Sequence, residues 1–384
     1  MSLKCGIAGL GGRGHSWSTY LKLWGKRAPK PLKLVAVADI SDSVLKNAES
    51  KLKVKTYKDY NDMLDDEKLE LDLIIIAAPH YMHAPISIAA AEHGTNVLVE
   101  KPMCINLRQA DEMRAAVEQA GIKLAVGFQE RFAPAYTGLK NAVTSGDLGE
   151  IFQLNMIYHW WRTEEYYLNS TPVPENKDLD WEGWRGHWTT EGAGALANQM
   201  IHYMDIFQWL SPSPIKSVVA NSRVSHHTFV ETDDNTNAIV EFQNGSMGFI
   251  QAGVAYKYAK EEEYGIYGTE GALIRRRNVK GILGIPKFYD DRRKPGVKAK
   301  KNAMSYMPRP RMPTKSLLMN LVDAIVKDDA SHISVDVMEG RKSVELMRAI
   351  LLSQVRDTKI TFPFDDSPEE FPSLLHTYQD KDLV

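Results

Sequence analysis

Over the first 127 residues the chain alternates short apolar runs with stretches of helical periodicity, and no other feature narrows its possible folds so far. "LKCGIAG" leads into a helix from about Arg13, "LKLVAVAD" into one over "DSVLKNAESKL", and "LDLIIIAAP" into "APISIAAAEHG". "TNVLVEK" precedes "LRQADEMRAAVEQAG", and "IKLAVGF" closes the series. A strand that is apolar along its whole length is buried on both faces, and helices between such strands are the crossovers of a parallel sheet. Gly94 and Gly121 stand where helix C-caps are expected. Residues 1–127 are therefore expected to form a doubly wound α/β domain.

At 384 residues the chain exceeds what one core usually spans, so a second domain is expected from length alone. The texture changes after residue 128. "EIFQLNMIYHWW" and "IKSVVANSRV" read as long strands, and "TNAIVEFQNGSMGFIQAGVAY" as a hairpin turning at Asn244–Gly245. "EYGIYGTEGALIRRR" reads as a further pair turning between Gly268 and Gly271. Helices at about 315–328 and 336–356 and a short strand in "KITFPF" end the fold. Residues 128–384 are expected to form one α+β domain. The basic stretch 275–301 is diluted by Gly, Pro and Asp and reads as a solvated loop.

A net charge of −2 with 25% charged residues argues against nucleic acid as a partner. Two cysteines, Cys5 and Cys104, are too few for a disulfide framework or a Cys-based zinc site and suit a reducing compartment. The histidines form no credible metal cluster, so no metal is expected. The N-terminus lacks the apolar stretch of a signal peptide, and no run approaches the ~18 residues of a membrane span. A cytoplasmic protein without membrane contact is the expectation.

Chemistry first enters with "GLGGRG", a G-x-G-x-x-G motif placed between the first strand and its helix. Gly9 would permit the tight turn, Gly11 would let the backbone approach a pyrophosphate, and Gly14 would allow close helix–strand packing. The helix N-terminus would supply N–H groups to the phosphates. The second strand ends in Asp39, placed to accept hydrogen bonds from an adenosine ribose, 25 residues after Gly14. Ile40 and Ser41 follow, without an Arg for a 2′-phosphate, which favours NAD over NADP. "VLVEKPM" carries Glu100, Lys101 and Pro102 at the carboxyl end of a buried strand, where open α/β sheets bind ligands. A lysine there can stabilise an alkoxide-like oxygen.

In "GALANQMIHYMDIFQWL" (194–210), helical spacing puts Asn198, His202, Asp205 and Trp209 on one narrow stripe. An ordinary surface helix carries Lys, Glu and Arg on its polar side, so this stripe reads as the wall of a site. Six of the eight tryptophans fall between 160 and 209, either a platform for the C–H faces of sugars and cyclitols or a core or oligomer interface. The Pro- and Asn-rich segment 169–183 is long enough to cap a pocket.

Together "GLGGRG", "AAPHYMHAPISIAAAEHGTNVLVEKP", "GFQERFAP", "WRGHWTTEGAGALANQMIHYMDIFQWL" and "DVMEGRKSVELMRAILLSQ" resemble the glucose–fructose oxidoreductase / inositol dehydrogenase (Gfo/Idh/MocA) family. The resemblance implies a Rossmann domain followed by a large, open, mostly antiparallel sheet that often joins subunits, here as a homo-dimer or homo-tetramer. It implies nicotinamide-dependent oxidation of a sugar or cyclitol carbinol. Lys101 matches the catalytic lysine of the E-K-P motif, and His202 matches the histidine general acid/base. Asn198 stands where many members have Asp. Pro79, His80, His83, Glu100, Lys101 and Gln129 fall at cofactor positions; His80 and Gln129 each replace a frequent Asn. On the substrate side the expected contacts are Lys101, Arg162, Trp161, Trp188, Asn198 and His202, with Asp205 fixing the imidazole tautomer. The expected reaction is hydride transfer from the carbinol to NAD while His202 takes the hydroxyl proton. An NAD-dependent glycosidase or lyase using transient oxidation, or a non-catalytic NAD-binding regulator, are the alternatives.

Overall fold

The computed structural model describes residues 2–25, 31–173, 182–258, 261–278, 287–289, 306–308 and 312–366. Residues 174–181 of the expected pocket cap, with Trp181, lie outside these, as does most of the basic stretch 275–301. The chain divides into two compact units, Met1–Phe128 with Thr314–Val344, and Gln129–Pro313 with Glu345–Val384.

In the first unit six strands form one parallel sheet: β1 (Leu3–Ala8), β2 (Leu32–Ala38), β3 (Lys55–Tyr57), β4 (Leu73–Ile76), β5 (Asn96–Val99) and β6 (Leu124–Val126), in the order β3-β2-β1-β4-β5-β6. The order reverses between β1 and β4, the topological switch point where such sheets bind ligands. Crossovers carry α1 (Gly12–Trp24), α2 (Asp42–Leu52), α3 (Tyr60–Leu64), α4 (His83–Glu92) and α5 (Leu107–Ala120). All four residues of β4 are fully buried, as their unbroken apolar run requires. Ser41 caps α2 through the Val44 N–H, and Asn106 caps α5 through the Gln109 N–H. Gly121 ends α5 at φ +67°, and Gly94 follows α4 at φ +65°. The sequence reading missed β3 and α3, which are too short to show a period.

The second unit begins with α6 (Pro134–Thr144), β7 (Ile151–His159), α7 (Glu164–Leu168) and α8 (Ile201–Leu210). Seven more strands follow: β8 (Ile215–Arg223), β9 (Asn235–Phe242), β10 (Met247–Gly253), β11 (Glu261–Gly268), β12 (Gly271–Asn278), β13 (Lys287–Tyr289) and β14 (Ile360–Thr361). With β7 they make an eight-stranded sheet, β13-β12-β11-β7-β10-β9-β8-β14, antiparallel except where β7 meets β10. The foreseen hairpins are present, with Gly245 at φ +85° and Gly268 paired to Gly271. Along β7 the buried residues Leu154, Met156 and Tyr158 alternate with half-buried ones, so one sheet face is covered. Phe207 of α8 lies on that covered face because Gly248 lacks a side chain; a Cβ there would collide with the ring.

Two late helices, α9 (Pro313–Lys327) and α10 (Val337–Val355), complete the fold. Here the expected uninterrupted second domain, 128–384, needs correction, because Thr314–Val344 belongs to the first unit. The physical ties are specific. The Val126 N–H donates to the Val335 carbonyl at 2.9 Å, continuing the bonding of β6. Arg341 pairs with Asp111 on α5, and Lys123 with Asp328. Leu318 and Met319 of α9 line a small cleft with Tyr20, Leu21 and Leu32. These partners are over 200 residues apart in sequence, out of reach of local periodicity.

Candidate active site

The first unit holds the glycine loop. Gly9 turns at φ +86°, and a Cβ there would lie 2.6 Å from the Ala78 nitrogen. A Cβ on Gly14 would strike the Gly9 carbonyl oxygen, so this glycine lets α1 close onto the loop. Around Gly11 the situation is opposite: a Cβ would meet nothing within 4 Å. Protein atoms crowd Gly9 and Gly14 and leave Gly11 open, which fits a pyrophosphate over the start of α1.

Asp39 is half-buried beside this loop. Its carboxylate accepts from the Leu10 N–H at 2.7 Å and the Ser41 N–H at 2.9 Å, which ties the end of β2 to the glycine turn. Helix capping falls to Ser41, so Asp39 is not the cap of α2.

Two expected cofactor residues turn out to be internal braces. Glu100 is buried, and one carboxylate oxygen accepts from Arg13 Nε at 2.6 Å and Trp17 Nε1 at 2.7 Å. It therefore anchors α1 behind the glycine loop. His83 is 1% exposed, with Nδ1 2.7 Å from the Pro102 carbonyl and Nε2 2.9 Å from the Ala78 carbonyl. It clasps the turn after Lys101 to the end of β4. Burial pulls its pKa down, against the two carbonyls that favour the charged ring. Pro79 opens the 3-10 turn His80–Met82, and His80 is buried against His83, ring centres 5.7 Å apart. Lys101 itself is half-buried.

The second unit holds the other chemistry. The helical segment opens with a π-helical turn, Leu196–Met200, before α8. That turn shifts the phase of everything after it, so the stripe drawn at a constant 100° per residue breaks. Asn198 and His202 are half-buried, whereas Asp205 is completely buried. Both Asp205 oxygens accept from the Arg131 guanidinium, Nε at 2.8 Å and Nη2 at 2.6 Å. The carboxylate expected to serve the His202 ring is thus anchored by an arginine that the sequence reading passed over. Gln129 is half-buried at the head of the 3-10 turn that carries Arg131.

Asn198 has a partner that sequence reasoning also missed. Its Nδ2 donates to Glu191 Oε1 at 2.6 Å, while the Gly186 N–H donates to Oε2 at 2.6 Å. A carboxylate only accepts, so the amide must turn its nitrogen inward and keep its carbonyl oxygen for other donors. Glu191 is 1% exposed, and burial pushes its pKa up to about 7, opposed by those two hydrogen bonds. Asp233 holds the start of the same segment through the Gly194 and Leu196 N–H groups, and burial raises it to about 6.

Cations face the tryptophans. Arg162 lies over Trp160, Arg185 over Trp184, Lys257 over Trp161, and both Arg131 and Lys140 over Trp209. Trp161 also packs edge-on against His226, and Trp188 is buried beside Glu231. For Trp188 the expected sugar contact is corrected: a ring packed in the core offers no open face. Among the described residues no group of three His, Cys, Asp or Glu is placed to hold a metal, and no helix is long and apolar enough to cross a membrane.

A doubly wound unit with a glycine loop at its switch point, followed by a broad mixed sheet, defines a nucleotide-dependent oxidoreductase fold. Residues 3–128 match the oxidoreductase family with an NAD-binding Rossmann fold, and residues 136–274 match the GFO/IDH/MocA C-terminal domain. The chain belongs to the Gfo/Idh/MocA family. It is 26% identical over 276 residues to scyllo-inositol 2-dehydrogenase (NAD(+)) of Bacillus subtilis, covering 71% of this chain and 73% of that one. It is 27% identical over 245 residues to YrbE, an uncharacterised oxidoreductase of the same organism, covering 63% of this chain and 65% of YrbE, just under two thirds. In fold it is similar to the WlbA dehydrogenase of Bordetella pertussis, solved with NADH and UDP-GlcNAcA (TM-score 0.77, 24% identity, 95% and 100% of the two chains). It is likewise similar to levoglucosan dehydrogenase solved with NADH and L-sorbose (TM-score 0.78, 20% identity, 95% and 100%).

Proposed function

We propose that this protein is an NAD-dependent dehydrogenase that oxidises a carbinol of a sugar, sugar derivative or cyclitol. One observation carries the reading: a chain of this family keeps both reacting side chains, Lys101 just beyond β5 and His202 on α8. The names of its relatives, a scyllo-inositol dehydrogenase and a levoglucosan dehydrogenase, point to the same substrate class.

Gly9, Gly11 and Gly14 would hold the pyrophosphate and Asp39 the adenosine ribose, with Ile40 and Ser41 offering no cation for a 2′-phosphate. When bound, NAD+ supplies the hydride acceptor. The Lys101 ammonium donates to the substrate hydroxyl oxygen and stabilises the negative charge that grows there. His202 takes the hydroxyl proton. Asn198, its nitrogen turned toward Glu191, presents its carbonyl oxygen to a neighbouring hydroxyl. His83 holds the Lys101 turn in place from behind.

The protein is further proposed to be a homo-oligomer joined through its eight-stranded sheet, on the face away from α8. Val219, Ile239 and Phe249 stand in cross-strand register there, the first two 47% and 53% exposed, with Met247 beside them. Cys5 and Cys104 are buried free thiols, in keeping with a reducing, cytoplasmic setting.

NADH absorbance should appear when NAD+ and a panel of sugars and cyclitols are supplied. Lys101→Ala and His202→Ala should each lose about 10²- to 10⁴-fold in rate while folding normally. Turnover at the wild-type rate in both variants would sink the assignment.

A further inference from the structure

Five side chains of the second unit form an alternating stack of rings and guanidinium groups. Arg162 Cζ lies 4.7 Å from the Trp160 ring centre and 4.8 Å from that of Tyr166. Arg185 Cζ lies 4.3 Å from the same Tyr166 ring and 4.9 Å from Trp184. Two cations therefore share one phenol. The stack is tied to the catalytic segment at both ends. Gln199, next to Asn198, donates to the Tyr166 hydroxyl at 2.8 Å. Trp160 stacks on Tyr158, which lies 4.1 Å from Tyr203, the neighbour of His202.

The two arginines differ in how their charge is met. Arg185 donates to the Tyr166 carbonyl at 2.9 Å, and its charge acts on the Glu191 carboxyl. Arg162 has its backbone pinned, its N–H on the Val254 carbonyl and its own carbonyl accepting from His227 Nε2. Its Nε is buried without an acceptor, and no carboxylate among the described residues pairs with its guanidinium. Elsewhere in this molecule the rule is different: Arg13, Arg131, Arg276, Arg341 and Arg348 each pair with a carboxylate. The acidic groups near Arg162 are otherwise placed. Glu262 accepts from Trp160 Nε1 at 3.3 Å and acts on Arg275, Glu164 and Glu165 are exposed on α7, and Asp234 pairs with His227. Stacked rings attract a guanidinium through its faces and leave its in-plane N–H groups without acceptors. A buried donor without an acceptor calls for one from outside the chain.

We propose that Arg162 determines specificity for an anionic substrate, its in-plane N–H groups taking an oxyanion carried by the sugar, either a carboxylate or a phosphate monoester. This rests on the sugar-dehydrogenase reading and narrows its substrate class. Guanidinium groups take both oxyanions through paired, parallel hydrogen bonds, so the chemistry is shared and the source is settled by comparison.

The test uses the full-length enzyme with NAD+ and matched pairs: glucuronate against glucose, galacturonate against galactose, and glucose 6-phosphate against glucose. One anionic member should exceed its neutral parent about 10- to 150-fold in kcat/KM, the worth of a charge-assisted hydrogen bond. The pair that shows the preference tells carboxylate from phosphate. Arg162→Gln should bring the ratio near one by raising KM for the anion while kcat changes little, and Arg162→Lys should keep part of it. NADH binding by each variant checks its fold, and if Arg162→Gln does not fold, the wild-type ratio and Arg162→Lys decide. Equal turnover of both members of every pair, or an unchanged ratio in Arg162→Gln, overturns the proposal and leaves the dehydrogenase standing. If no member of any pair is oxidised or shifts thermal unfolding, both readings fall together.

Discussion

Glu191 and Asn198 stand in the relation of an acid to the amide it orients, and pH should expose it. The folded state raises the Glu191 pKa from 4.5 to about 7, so the neutral carboxyl favours folding. That contribution is whole below about pH 4.5 and is lost as pH climbs through about 7, at up to ~1.4 kcal/mol per pH unit. Asp233, raised from 3.8 to about 6, adds a similar decline slightly lower. Denaturant unfolding at several pH values should therefore show a fall between about pH 6 and 7 that Glu191→Gln flattens; equal slopes would refute it. Asn198→Asp should be more telling still, since its carboxylate would face Glu191 where the amide now sits at 2.6 Å. Two carboxylates at that distance share a proton, so the variant should lose stability above about pH 7 and its rate profile should move. At this scale the sequence was partly readable. Lys101 and His202 follow from motifs, because reaction chemistry fixes residue type at a fixed place in the chain. Arg131 does not, because its partner Asp205 is 74 residues away and only the fold brings them together.

Among the elements, the glycine loop makes the sharpest contrast. Gly11 faces open space with φ −58°, so Gly11→Ala should fold like the native chain and lose NAD affinity by tenfold or more, measured by titration of protein fluorescence. Gly14→Ala should fail differently, losing several kcal/mol in unfolding because backbone meets backbone. If both variants lost only stability, the loop would be structural. The helix at 194–210 gives the second case. Arg131→Ala leaves the Asp205 carboxylate buried without its guanidinium and should cost about 3–5 kcal/mol. The helix was legible as an element, and its polar stripe rightly singled out Asn198 and His202. The π turn was not legible, since no residue type marks it, and so the stripe carried Asp205 to the wrong neighbour.

For the whole molecule, the fold class follows from two periodicities, apolar runs broken by helices and then long alternating strands, and both sheets form as those patterns require. The solvent face of the larger sheet carries the assembly prediction: Ile239→Lys should shift the species seen by light scattering toward monomer while NAD binding persists. An unchanged mass would locate the interface elsewhere. What periodicity could not show is that the first unit is not a continuous piece of chain. Val126 at the end of β6 waits for Val335, and Asp111 for Arg341. During synthesis, then, the nucleotide-binding unit cannot finish folding when its own strands leave the ribosome. It must hold its last edge open while nearly two hundred residues of the second unit emerge, and the two units reach their final state as one late event.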